Sequence, residues 1–213
     1  MARSPGPSAK QLKTMRSKRS LALAMLSAAA IAATGCGEDG GASGSPTFGV
    51  DDLQRLVLSR SEGPQGLVAR SGPNALEREG EDSRSQLREL RRFGFEADYG
   101  SMYFPRDRGS DVQYAESIAM LFGNGDGAAR GLAFLETTQR EQGRGVEDLS
   151  AEGLGDEGWG LRGRFFPGAP PTYFYAWRVG NAVLVFAIAG GPAVVSEREA
   201  RLFADEMDMR TRP

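Results

Sequence analysis

Histidine is absent from all 213 residues, and cysteine occurs once, as Cys36. Without histidine, neither a Ser-His-Asp nor a Cys-His nucleophile can be assembled. A His-bearing zinc site is excluded for the same reason, and a single cysteine cannot supply a thiolate set in its place. No intramolecular disulfide can form, so the fold must be held by packing. Lysine stops at Lys18, and every basic residue beyond Arg19 is arginine. The rest of the chain therefore lacks both the cation of a Walker A loop and a Schiff-base amine. Enzymatic chemistry is left with carboxylates, serine, tyrosine or an oxygen-bound metal. The apolar run at 21–33 falls short of the roughly 20 residues that span a bilayer.

What is present begins with an export pattern. Arg3, Lys10, Lys13, Arg16, Lys18 and Arg19 precede the uncharged run at 21–33, with no acidic residue among them. Small residues and Cys36 follow, as Ala33-Thr34-Gly35-Cys36. Basic, apolar and small segments in that order form a signal peptide. Met15 sits directly before its compact basic stretch and is the expected start of translation. The Ala33-Thr34-Gly35-Cys36 ending resembles the lipobox of bacterial lipoproteins. That resemblance implies cleavage before Cys36, acyl chains on its thiol and attachment to the extracytoplasmic face of the cell membrane. Two or more acyl chains give stable anchoring, at about 0.8 kcal/mol per buried methylene.

The expected organisation is a signal peptide at 1–35, a flexible Gly/Ser-rich tether at 36–49 and one globular domain at 50–213. Removing the six basic residues of the signal from the 26 in the chain leaves 20 against 28 acidic residues, a net charge of −8. Such a surface does not attract nucleic acid or anionic headgroups. Anion recognition by arginine would need clustering; Arg91-Arg92 is the one adjacent pair after the signal, and Arg106 with Arg108 is a further tight group.

Apolar periodicity predicts short helices at 51–58 and 86–93, and longer helices at about 127–141 and after a capping box at Ser196-Glu197-Arg198-Glu199. Residues 77–85 read as a loop. Alternation predicts strands at 95–104, 111–122, 159–166, 172–179 and 182–189, with a brief one at 66–69. Gly180-Asn181 suits a two-residue hairpin turn. The fold class is α+β, an antiparallel sheet of about five strands with two main helices packed on one face. Leu154-Gly155-Asp156-Glu157, Arg178-Val179-Gly180-Asn181 and the final helix are similar to features of small exported lipoproteins and sensor-type domains of actinobacteria. That resemblance implies no catalytic residues.

Strands 172–179 and 182–189 are apolar on both faces, so a sheet covered on one side only would leave a second face to explain. Either residues 51–93 fold over it, or it forms an aromatic groove for an apolar small molecule or an envelope protein. Phe165, Phe166, Tyr173, Tyr175 and Trp177 are the candidate binding residues, because aromatic side chains suit such surfaces. Gly123-Asn124-Gly125-Asp126-Gly127-Ala128 has the outline of a dinucleotide fingerprint. The pattern around it is antiparallel, so it reads as a turn with Asp126 capping the following helix. Asn124 and Asp126 lack the remaining ligands of a calcium loop. Asp156 and Glu157 beside Trp159 have the ingredients of a glycosidase pair, but adjacent residues diverge and a turn fits better. The sequence thus predicts a non-enzymatic, lipid-anchored envelope protein that binds a partner or apolar ligand, with no cofactor and no metal. The alternative is a carboxylate-dependent hydrolase acting on envelope glycans or peptides.

Overall fold

Seven strands form one antiparallel sheet: β1 (Leu67–Pro73), β2 (Phe95–Pro105), β3 (Val112–Phe122), β4 (Arg144–Leu149), β5 (Glu157–Arg164), β6 (Thr172–Val179) and β7 (Ala182–Gly190). Their order across the sheet is β1-β2-β3-β7-β6-β5-β4. The described helices are α1 (Leu53–Leu56), α2 (Glu81–Arg92), α3 (Gly125–Gln142) and α4 (Glu197–Met209). This computed structural model describes residues 45–78, 81–106, 112–165, 170–191 and 195–212, all within one compact unit. The expected signal at 1–35, Cys36, the expected tether up to residue 44 and Phe166 lie outside the described residues.

The sheet is two antiparallel meanders, β1 to β3 and β4 to β7, joined edge to edge through β3 and β7. β7 therefore lies near the centre, and all nine of its residues are buried. Leu184, Phe186 and Ile188 face a core completed by Leu53 and Leu56 of α1 and by Ala200, Ala204 and Met207 of α4. Val183 and Val185 face the opposite core, completed by Leu87 and Leu90 of α2 and by Leu132 and Leu135 of α3.

The helical layer differs from the expected single one. α3 and α4 lie on opposite faces of the sheet, not on one. The physical reason is the two-faced apolarity of β6 and β7, which requires cover on both sides. Residues 51–93 do contribute to that cover, but they split: α1 joins α4, and α2 joins α3.

The strand count also differs, seven against about five. β4 was not expected, because Arg144-Gly145-Val146-Glu147-Asp148-Leu149 is mostly charged and exposed, as an edge strand is. β1 runs up to Pro73 and pairs with Tyr99 to Pro105 of β2, well beyond the brief strand at 66–69. α2 begins at Glu81, inside the stretch read as a loop, because its first turn is wholly polar.

Local signals place the ends of the main helices. Ser196 Oγ accepts the Glu199 amide at 3.2 Å and starts α4. Asn124, not Asp126, caps α3: its Oδ1 accepts the Gly127 amide at 2.8 Å. Asp126 lies in the first turn, where a carboxylate favours the helix dipole. The start of α3 presses so closely on the turn between α2 and β2 that a Cβ at Gly127 would sit 2.3 Å from the Phe93 carbonyl oxygen. Gly127→Ala is therefore expected to destabilise by about 1–3 kcal/mol, despite alanine's better helix propensity. Urea unfolding measures this, and an unchanged or raised midpoint would contradict the packing described.

Candidate functional site

The four aromatic candidates among the described residues do not form one groove. Tyr173, Tyr175 and Trp177 alternate onto the face covered by α1 and α4, where all three are buried. Phe165 lies on the other face, 6.0 Å from the Phe174 ring, which in turn stacks on Trp159 at 5.7 Å. Trp159 Nε1 donates to the Leu132 carbonyl and ties β5 to α3. Phe166 lies outside the described residues.

Tyr175 and Trp177 are fully buried, yet Tyr175 Oη and Trp177 Nε1 have no hydrogen-bond partner among the described residues. Burial and the nearby Glu197 carboxylate push the Tyr175 phenol up to about 12. Glycines on β5 make room for these rings. A Cβ at Gly158 or Gly160 would come within 2.8 Å of Trp177 or Tyr175 respectively. Tyr173 instead carries the Arg162 guanidinium over its ring at 5.7 Å.

The two sequence motifs that stand apart in the chain meet at one end of the sheet. Arg178 Nη1 donates to Asp156 Oδ2 at 2.9 Å, and its Nε donates to Glu157 Oε1 at 2.6 Å. Asp156 Oδ2 also accepts the Gly180 amide at 2.9 Å, and the Asp156 amide donates to the Arg178 carbonyl. Both carboxylates of the suspected glycosidase pair therefore converge on one guanidinium and one turn.

Gly180 and Asn181 join β6 to β7 as expected, with Gly180 at φ +58° in the first turn position, as a II′ hairpin needs. Asn181 then reaches beyond its own hairpin. Its Oδ1 accepts the Phe48 amide at 2.8 Å, and its Nδ2 donates to the carbonyls of Phe48 and Phe122, each at 3.1 Å. A Cβ at Gly180 would strike the Pro46 carbonyl oxygen at 1.7 Å, so only glycine lets this segment lie on the turn. The segment around Phe48 is thus a docked strap, with the Phe48 ring in the core. The packed domain begins earlier than residue 50, because an apolar ring and both polar groups of its backbone are held in place.

The far end of α4 locks onto the same region. Arg210 donates to the Val57 carbonyl and pairs with Glu62 at 3.0 Å, while Arg55 Nη1 donates to the Arg210 carbonyl at 2.8 Å. Hydrogen bonds from Ser59 and the pairing with Arg210 hold the Glu62 carboxylate down at about 2. Between the strap, the 153–155 turn and the end of α4 lies an open cleft of about 590 Å³, flanked by Arg55 and Arg212. A second, of about 480 Å³, opens beside Glu77, Leu87, Arg88 and Arg91. Neither is lined by Phe165, Tyr173, Tyr175 or Trp177.

Sequence reading missed the reach of Asn181, whose partner Phe48 lies 133 positions away. It also missed Arg55 and Arg212, which nothing in their local sequence marks as neighbours. Among the described residues, no group of three or more carboxylate or thiol side chains is arranged to hold a metal ion, and no helix is long and apolar enough to cross a membrane.

Asn181→Ala would strand three backbone groups and is expected to cost about 2–4 kcal/mol. Hydrogen exchange should show the Phe48 amide losing protection ahead of the sheet; unchanged protection would mean that the strap is held by other contacts. Glu62 sets an acid limb. Its folded pKa of about 2 lies below the ordinary 4.5, so its stabilisation is complete above 4.5 and is lost as pH falls towards 2. Because the pair is partly exposed, Glu62→Gln should cost about 1 kcal/mol or less at neutral pH. In acid titration of unfolding, variant and native chain should converge near pH 2; a constant gap across the range would refute the assignment.

No known family matches this sequence, and no curated protein resembles it by sequence. By structure, it is similar to the crystal structure of the extracellular domain of PknH from Mycobacterium tuberculosis, with a TM-score of 0.50 and 10% identity over 79% of this chain and 98% of that chain. At that identity the likeness is one of fold, and it places this chain among α+β domains of the kind found in an actinobacterial extracellular domain.

Proposed function

We propose that this chain is a lipid-anchored, non-enzymatic binding domain of the bacterial cell envelope, displayed on the extracytoplasmic side. The observation that carries this reading is the docked strap. Asn181 fixes Phe48 on the domain, and only ten residue steps separate Cys36 from Pro46. At about 3.5 Å per residue, those ten steps keep this end of the sheet within about 35 Å of the anchor. The likeness in fold to an extracellular domain supports the same reading.

Burial of Tyr173, Tyr175 and Trp177 beneath α4 favours recognition on the surface over capture of an apolar molecule between sheet and helix. The partner is an envelope protein or a small ligand that meets the domain at the strap end. Asp156 and Glu157 are engaged by Arg178, which removes support for their use in glycan hydrolysis.

Fractionation of a bacterial host tests the anchor. The chain should partition into membranes and the detergent phase, and Cys36→Ser should move it to the soluble fraction; a variant that stays in the membrane would refute lipid anchoring at this residue. Native mass spectrometry of the extracted chain then tests binding. A retained partner or small molecule supports the role, and a bare mass at every extraction condition counts against it.

A further inference from the structure

Arginine supplies every basic side chain after the signal, and the fold builds an arginine cluster that the sequence separates. Arg55, Arg210 and Arg212 converge where α1 meets the end of α4. Arg210 is committed to the Val57 carbonyl, Glu62 and Glu206. Arg55 and Arg212 are engaged only in part. Arg55 uses Nε for Asp52 and Nη1 for the Arg210 carbonyl, and its guanidinium lies over the Phe48 ring at 5.7 Å, while Nη2 has no hydrogen-bond partner among the described residues. Arg212 uses Nη2 for Asp208 and leaves Nε and Nη1. Their side chains are 54% and 64% exposed, and both line the 590 Å³ cleft.

The remaining charge in the cleft is already employed. The buried Asp208 carboxylate accepts the Gly155 amide at 2.9 Å on one oxygen and Arg212 at 2.9 Å on the other. It holds Arg212 in place, as a supporting carboxylate does in an anion site. Thr47 stands at the rim, and Phe48 and Val179 supply an apolar wall.

We infer that this cleft binds a phosphate group, as a monoester or diester, between Arg55 and Arg212. The two guanidiniums belong to different elements, α1 and the turn after α4, and the several oxygens of a phosphate can accept from both. A chain whose mature form carries a net charge of −8 has no general attraction for anions, so recognition must be local. The inference rests on the proposed binding role and names its ligand chemistry. The phosphate belongs to a free phosphate ester or to a phospholipid headgroup, since the strap that walls the cleft leads back towards the anchor.

The test titrates the full chain from an exporting host with inorganic phosphate, and separately with phosphatidylglycerol and phosphatidylcholine vesicles, while following the Gly153 and Gly155 amides. Saturable shifts with inorganic phosphate, weakened about tenfold or more in Arg212→Gln and in Arg55→Gln, support a free phosphate ester. The same pattern with phosphatidylglycerol vesicles alone supports a headgroup. Arg91→Gln, beside the other cleft, should change neither. No saturable response to either probe, or a response indifferent to Arg55 and Arg212, overturns the inference. A partner retained in the native mass spectrum alongside that failure would leave the binding role standing and remove only the phosphate.

Discussion

A strand that is apolar on both faces cannot lie at the surface of a one-sided layer. β7 imposes this condition, since each of its nine residues is buried and it sits between β3 and β6. Its two sets of side chains demand two separate cores. The helices are distributed accordingly, α1 and α4 against Leu184, Phe186 and Ile188, and α2 and α3 against Val183 and Val185. The crossover from β3 to β4 carries α3 over one face, and the chain after β7 returns α4 over the other. With no disulfide possible in the domain, this two-sided burial is the main source of stability.

The second organising contact is polar. Asn181 closes the β6–β7 hairpin and, through one carboxamide, satisfies Phe48 and Phe122. Asp156 and Arg178 brace the same turn from the β5 side. Hairpin, strap and the approach to β5 are thereby one hydrogen-bonded unit, and the cleft opens beside it. A contact that positions the strap also shapes a wall of the cleft.

Not every buried group is satisfied. Tyr175 Oη and Trp177 Nε1 lie beneath α4 without a protein partner among the described residues, at a cost of about 1–3 kcal/mol for each such group. In sequence, aromatic residues suit a binding surface because they join an apolar body to a polar tip. Here the bodies fill the core, and the cost of the stranded tips is absorbed by the area they bury.

The sequence by itself determined the basic-then-apolar order that ends at Cys36, the absence of histidine and of any intramolecular disulfide, the α+β class, β2, β3 and the β5–β7 meander, and the capped start of α4. These rest on local order: alternation, turn residues and side chains that bond within a few positions. Tertiary structure decided what depends on distant partners. The edge strand β4 carries charge and so lacks an apolar rhythm of its own. The side taken by each helix follows from which sheet face its stripe meets, and α3 and α4 have stripes of the same kind. Residues 165 and 173 share aromatic character but lie on opposite faces. The cluster of Arg55, Arg210 and Arg212, and the grip of Asn181 on Phe48, exist only because the two ends of the domain pack together. Short-range chemistry wrote the elements, and long-range burial chose their arrangement.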